Sequence, residues 1–306
     1  PETAEACRLI PEIDRVVTVD LRRPSFPLAV LKLFAAVRAA RYDLVIDFEF
    51  SSNFTALVAF SSGSPSIGFT SLKPERDALY DVGVVFDHSL HARDCFGRIA
   101  AFLGCAEASE PRVATGPAAL DAARFPFLSR PFAVVNPNAG DLSLQRRWPR
   151  DRYIAAIRGL LDRTDLAVAA IGGPADREYM APLVEAFRKE ERLIPLVGTL
   201  TLAELAGLLR RAALYIGNDS GPMHLAATLG TPCVALFGPE TPRLYGPLPP
   251  ERHEVLYSRR HCSPCLNVYR YKMANCRDNR CLQAIGTEEV VAAALRLLAA
   301  RPEVKR

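Results

Sequence analysis

In the second half of the chain, hydrophobic positions fall into two alternating patterns. Short apolar runs at Phe132–Asn136, Leu166–Ile171, Ile194–Val197, Leu214–Ile216 and Cys233–Phe237 are bounded by Gly, Pro, Asn and Asp, which predicts buried strands. Between them, Tyr153, Ile154, Ile157, Leu160 and Leu161 recur at helical spacing within Pro149–Asp162. A second helix is expected roughly between Asp176 and Lys189. Thr201 and Glu204 form a capping box for a third, through Arg210, and His224–Leu229 continues a fourth that Gly230 ends. Glu254–Leu256 adds a last strand. Strands alternating with helices over short links predict an α/β fold, its parallel sheet covered on both faces.

The first half repeats the pattern less regularly. Val16–Val19 and Leu44–Phe48 read as strands around a helix at Pro27–Ala40, followed by helix Ser52–Phe60, strands Ser66–Gly68 and Val82–Phe86, and helix Ala92–Leu103. Gly, Pro and Ala break the periodicity across Pro111–Pro131. We therefore expect a first domain over 1–125, a second over 126–286, and a closing helix within 287–306. That helix, Thr287–Ala300, has Glu288 and Glu289 in its first turn and Arg296 and Arg301 near its end, matching the helix dipole. A chain of 306 residues is long enough for two cores, and 49% hydrophobic with 24% charged residues is ordinary for a globular protein. A net charge of +4 is too small to argue for a nucleic-acid partner. No apolar run reaches membrane-spanning length, so the expected location is cytoplasmic.

The polar residues gather where strands turn into helices. Asn218–Pro222 is such a turn: Ser220 can cap the helix, and Pro222 suits its first turn because it has no amide hydrogen to leave unpaired. In an open parallel sheet, ligands collect at these carboxyl ends, and a helix start offers amides and partial positive charge to a phosphate. Ser220 and His224, four apart, share one side of the opening turn. Taken alone, this turn fits a capped helix as well as it fits an anion site. A second turn, Gly238-Pro239-Glu240-Thr241-Pro242, leaves the next strand with a Thr cap, and two adjacent anion-ready turns suit a diphosphate. Asn136-Pro137-Asn138-Ala139-Gly140 and Gly172-Gly173-Pro174-Ala175-Asp176 also follow strands.

The ordered set Asp219-Ser220-Gly221, His224, Ala226-Ala227, Leu229-Gly230, Pro232 and Ala235-Leu236-Phe237-Gly238-Pro239 resembles glycosyltransferase family 9, the ADP-heptose:lipopolysaccharide heptosyltransferases and their relatives. The resemblance implies a GT-B fold: two Rossmann-like parallel-sheet domains facing a cleft, with the final helix crossing back onto the first. It implies that the second domain holds a nucleotide-sugar donor and the first an acceptor. The expected donor residues are Asn138, Gly140, Arg146, Asp176, Leu200, Asp219, Ser220, Gly221, His224 and Thr241. Arg146 matches a phosphate-binding Lys that precedes Trp-Pro in the family, Asp176 an acidic residue on the ribose hydroxyls, and Leu200 a side chain against the base. Asp219 is read as an acceptor for hydroxyls of the transferred sugar, since a carboxylate repels a diphosphate. Gly221 lets the ligand approach and His224 touches phosphate. The residues allow plainer roles too: Asp176 as a helix cap, Leu200 as a hydrophobic staple, and Arg147 as a solvated neighbour of Arg146.

Sugar transfer from a nucleotide requires stabilising the charge on the departing diphosphate. The chain has no Asp-x-Asp metal motif, and the resemblance implies that helix starts, Arg146 and His224 do this without metal or cofactor. It also implies inversion by one displacement, with a general base opposite the leaving group. In the family that base is an Asp in a Gly-rich loop after the first strand. This chain opens at Pro1-Glu2-Thr3, and its first strand matches the family's third, so the first domain reads as incomplete and the base as preceding Pro1. Glu49, Ser51 and Asn53, after a strand end, are acceptor-side candidates, with Asp47 a weaker one. Cys7, Cys95, Cys105 and Cys233 read as buried packing residues. Cys262, Cys265, Cys276 and Cys281, beside His261, read as reduced thiols in a compact loop, or as a structural zinc or iron–sulfur site. Tyr257, Tyr269 and Tyr271 with Arg259, Arg260, Arg270 and Lys272 make that loop basic and aromatic, either solvated or facing an anionic acceptor. The expected activity is transfer of heptose from ADP-heptose to a lipopolysaccharide-core glycolipid at the cytoplasmic face of the inner membrane. A nucleotide-sugar epimerase of the same fold and a non-catalytic nucleotide-sugar-binding scaffold are the alternatives.

Overall fold

The chain folds as two units, Pro1–Arg112 and Val113–Arg306, each built on its own parallel sheet. The computed structural model describes residues 2–20, 26–50, 52–70, 74–105, 113, 120–140, 144–266 and 276–300.

The first unit runs α1 (Glu2–Arg8), α2 (Phe26–Ala40), β1 (Val45–Asp47), α3 (Asn53–Ser62), β2 (Ser66–Thr70), β3 (Val82–Val85) and α4 (Ala92–Phe102). The strands pair in the order β1-β2-β3, with Val45 opposite Ser66 and Ile67 opposite Val82. Ser52 caps α3 by accepting the Phe54 N–H at 3.2 Å, and Gly63, at φ 66°, ends the helix in the left-handed conformation that glycine adopts without strain. Residues 16–19 form no strand. Their β-branched side chains favour extended backbone, but a ladder needs a neighbour, and none pairs with them among the described residues. The core is small, centred on Ile67, Phe69, Phe86, Cys95 and Ile99. Helix α2 buries none of its residues, and Leu31, Phe60, Val17 and Phe48 are more than half exposed.

The second unit follows the predicted alternation closely. It runs β4 (Phe132–Asn136), α5 (Arg150–Arg163), β5 (Ala167–Gly172), α6 (Arg177–Ala186), β6 (Leu193–Val197), α7 (Leu202–Arg211), β7 (Leu214–Asn218), α8 (Gly221–Thr228), β8 (Cys233–Phe237), α9 (Pro242–Tyr245), β9 (Glu254–Tyr257), α10 (Arg280–Gln283) and α11 (Thr287–Ala299). All six strands are parallel, in the order β6-β5-β4-β7-β8-β9. That is the Rossmann order: the chain steps outward one way from β4, then returns and steps the other way from β7. Successive strand residues face opposite sides. Val135, Val168, Leu214 and Ile216 join α5, α6 and α11 in one core, while Phe132, Val134, Ala169, Tyr215 and Phe237 join α7 and α8 in the other.

The two units divide at Arg112/Val113, within the Pro111–Pro131 stretch where the periodicity breaks, and Phe125, Phe127 and Leu128 belong to the second unit's core. Helix α11 belongs to the second unit: Val290, Val291, Ala293 and Ala294 are buried in the same core as Tyr153 and Leu160 of α5. Of the scattered cysteines, Cys95 and Cys233 are buried as expected, whereas Cys7 is half-buried and Cys105 exposed.

Candidate functional site

Strands β4 and β7 lie side by side at the point where the strand order reverses, and their connections diverge from their carboxyl ends. Ligands of open α/β sheets sit in the crevice this leaves. Asn136 and Asn218 end the two strands and are buried, so their amide groups must be paired. The Asn218 amide donates to Pro137 O at 3.0 Å and Asn138 O at 3.2 Å, and its oxygen accepts the Trp148 N–H at 2.9 Å. The Asn136 amide donates to Ser220 Oγ at 3.4 Å, Ser220 Oγ donates to Asn218 O at 3.2 Å, and Asn136 Oδ1 accepts the Asn138 N–H at 3.2 Å. This network ties three loops into one frame. Sequence reading missed Asn136 and Asn218 as its hubs, although an Asn closing an apolar strand just before turn formers is a visible signal. It also corrects the role of Ser220: the hydroxyl makes no cap bond and joins the frame instead.

Three charged or titratable groups meet on that frame. Arg146 Nη1 lies 3.4 Å from Asp219 Oδ2, and His224 Nε2 lies 3.5 Å from Asp219 Oδ1. The Asp219 side chain is 6% exposed, Arg146 20% and His224 44%, so the carboxylate is the buried base of the cluster and the two nitrogen groups open outward. Among the described residues, a Cβ built on Gly140 or Gly221 would meet nothing within 4 Å, whereas one on Gly172 would lie 2.9 Å from Asn138 Nδ2 and one on Gly238 2.6 Å from Leu282 Cγ. Packing therefore accounts for glycine at 172 and 238 but not at 140 and 221.

Asn138 and Asp176 flank Gly172: Asn138 Nδ2 donates to Ile171 O at 3.1 Å, and Asp176 Cβ lies against the same glycine. Asp176 makes no cap bond to α6; its Oδ2 reaches back to accept the Gly173 N–H at 2.8 Å, and Oδ1 pairs with Arg147 Nη2 at 3.2 Å. Arg147 is thus not the solvated neighbour expected. It lies 17% exposed, with its guanidinium carbon 4.3 Å from the centroid of the Tyr179 ring. Leu200 is half-buried against the second core, directly before the Thr201 cap. Thr241 caps α9 through the Arg243 N–H at 3.3 Å, but α9 is a single turn, and the Thr241 N–H donates to the buried Glu240 carboxylate at 3.1 Å. The second turn is therefore less open to an anion than the first.

In the first unit, the acceptor-side candidates sit beside a buried ionic knot. Arg76 is fully buried, with Nη2 2.6 Å from Glu49 O, 2.7 Å from Tyr80 Oη and 3.4 Å from Asp47 Oδ2. Tyr80 Oη donates to Asp47 Oδ2 at 2.6 Å, and burial pushes its pKa far above the ordinary phenol range. Asp47 is therefore a structural carboxylate, and Arg76 holds the loop that carries Glu49. Asn53 opens α3, its amide reaching Glu75 at 3.5 Å. Ser51 lies outside the described residues.

Among the cysteines, Cys281 is buried and its thiol is pushed up to about 11, and burial also raises Cys265. The Cys265 and Leu266 amides both donate to Pro239 O at 2.8 Å, holding this segment on the turn after β8. Among the described residues no three His, Cys, Asp or Glu side chains are arranged to hold a metal ion. Tyr269, Arg270, Tyr271 and Lys272 lie outside the described residues. No helix is long and apolar enough to cross a membrane, again among the described residues.

A family profile described as glycosyltransferase family 9 (heptosyltransferase) matches residues 30–273. Lipooligosaccharide heptosyltransferase 2 of Haemophilus influenzae is 32% identical over 121 residues, 39% of this chain and 34% of that protein. Its counterpart in Campylobacter jejuni is 24% identical over 165 residues, 54% of this chain and 50% of that one. The matched region thus spans a third to a half of these curated relatives. Among solved structures, a family 9 glycosyltransferase of Veillonella parvula superposes with TM-score 0.77 at 24% identity, covering 97% of this chain and 86% of that one. E. coli ADP-heptose lps heptosyltransferase II superposes at 0.72 with 21% identity, covering 97% and 87%. At these identities the likeness is one of fold, and that fold is GT-B, two Rossmann-like parallel α/β domains in one chain.

Proposed function

Because this chain belongs to glycosyltransferase family 9, we propose that its second unit binds a nucleotide-sugar, ADP-heptose by preference, and that the sugar passes to a lipopolysaccharide-core glycolipid. The observation that carries this is the cluster of Arg146, Asp219 and His224 at the switch point, at the start of α8 where Gly221 has no packing neighbour for a side chain.

In this reading Asp219 holds the two nitrogen groups until a diphosphate arrives. The guanidinium then forms charge-assisted bonds to phosphate oxygens, the imidazole follows, and the freed carboxylate accepts hydroxyls of the sugar. As the glycosidic bond breaks, negative charge grows on the leaving phosphate, facing Arg146, His224 and the start of α8. Preorganised donors of this kind serve without a metal, so EDTA should leave turnover unchanged. The single displacement inverts the sugar. It needs a base on the opposite face, and no described residue is assigned to it. Glu49 and Asn53, on the loop that Arg76 holds, are the candidates for contact with acceptor hydroxyls. The acceptor reading places the work at the cytoplasmic face of the inner membrane.

Calorimetry with ADP-heptose, ADP and UDP-sugars, followed by product analysis with and without truncated lipopolysaccharide, tests the proposal. Arg146→Gln should weaken ADP binding by about ten- to a hundredfold, the range for loss of a charge-assisted contact. Gly221→Val should weaken binding at an unchanged melting temperature, because no described residue would pack against a side chain there. Absence of binding by any ADP-containing ligand would falsify the reading. Release of a free epimer without acceptor would identify an epimerase, and binding without turnover a scaffold.

A further inference from the structure

We propose that Arg147 is a positioning residue that makes the second unit selective for nucleotides with free ribose hydroxyls. The proposal rests on the nucleotide-sugar reading above and adds to it a residue outside the expected donor set. Arg146 and Arg147 are adjacent but turn to different carboxylates. Arg146 reaches Asp219, while Arg147 reaches Asp176 on the loop after the neighbouring strand.

Three features hold the Arg147 guanidinium in place. Its central carbon lies 4.3 Å from the centroid of the Tyr179 ring, a cation–π contact. Arg150 fixes that ring from the helix side, 5.4 Å from its centroid, with Nη1 donating to Tyr179 O at 2.9 Å. The Arg147 backbone is held by Asn279, whose amide donates to Arg147 O at 2.7 Å.

The consequence falls on Asp176. One oxygen accepts from the Gly173 amide and the other from Arg147, one donor each. A carboxylate oxygen has two acceptor sites, so one remains on each oxygen while the plane of the group is fixed. A carboxylate of fixed plane with one acceptor site left on each oxygen can take both hydroxyls of a vicinal diol, as in a ribose. Without Arg147, the carboxylate keeps its bond to the Gly173 amide but loses the second anchor and its orientation. Lys in its place would supply charge without the flat fork.

The test compares ADP with its dideoxy analogue, which lacks both ribose hydroxyls, by calorimetry on the full chain. The unaltered chain should prefer ADP. Arg147→Gln should weaken ADP binding by about tenfold, the scale of one charge-assisted hydrogen bond, and leave the analogue's affinity unchanged, so that the preference collapses. Adding Asp176→Asn should cause little further loss, since the two residues act as one unit. Equal losses for both nucleotides would make Arg147 a general electrostatic contact, and no loss for either would make it a packing residue; each result overturns the proposal while leaving the nucleotide reading intact. If the unaltered chain binds neither nucleotide, the reading and the proposal fall together. Should the Gln variant not fold, Arg147→Lys replaces it, with the preference for ADP expected to drop about threefold; an unchanged preference overturns the proposal.

Discussion

Buried side chains set the local terms of this site. His253 packs beneath β8, with Nδ1 accepting the Cys233 N–H at 3.1 Å, and burial lowers its pKa. With the folded value depressed, the unfolded chain binds a proton first as pH falls. The stability this ring contributes is present above its usual value near 6.5 and is lost as pH drops toward the folded value, with a slope of at most about 1.4 kcal/mol per pH unit. Melting temperature should fall from about pH 6.5 toward about 5, and His253→Asn, which keeps an acceptor but cannot titrate, should flatten part of that fall. His88, lowered by burial in the first unit, accounts for another part. At this scale the sequence was legible where residues share one turn, as with Asp219 and His224, whose side chains the start of α8 brings together. It was not legible for Arg147 or Arg76, whose carboxylate partners lie 29 positions away in each case and are chosen by the tertiary fold.

Among the elements, α7 shows how far local chemistry reaches. Thr201 Oγ1 accepts the Glu204 N–H at 3.2 Å and the Glu204 carboxylate accepts the Thr201 N–H at 2.8 Å, the reciprocal box read from four residues of sequence. Thr201→Ala should cost about 1 kcal/mol and lower the melting temperature by about 2–4 °C, while Thr201→Ser should restore it, as thermal unfolding followed by circular dichroism would show. β8 was read to the residue because an all-apolar run between Pro232 and Gly238 has one plausible place, a central strand. Residues 16–19 have the β-branched composition but no partner strand among the described residues, and composition alone builds no ladder. Helix α11 was legible in extent but not in the core it joins, because amphipathicity tells that a face is buried, not which sheet buries it.

For the whole molecule, the two units differ in how well each buries its apolar surface. The second has a core on each face of a six-stranded sheet. The first has three short strands, and nearly all the exposed large apolar side chains among the described residues belong to it. Its hydrophobic stabilisation is correspondingly smaller. Unfolding in urea should therefore proceed in two steps, with the first unit opening at lower denaturant; one sharp transition seen by every probe would contradict this. The chain supplies the means to watch it. Trp148, its single tryptophan, is fully buried in the second unit, 4.9 Å edge-on from Tyr153, with Nε1 donating to Ile285 O at 3.1 Å and its amide held by Asn218. Its fluorescence is a native signal from the half that carries the switch-point crevice. Emission should stay blue while the first unit melts, redden only when the second opens, and respond to a ligand settling two residues away at Arg146 without any added dye.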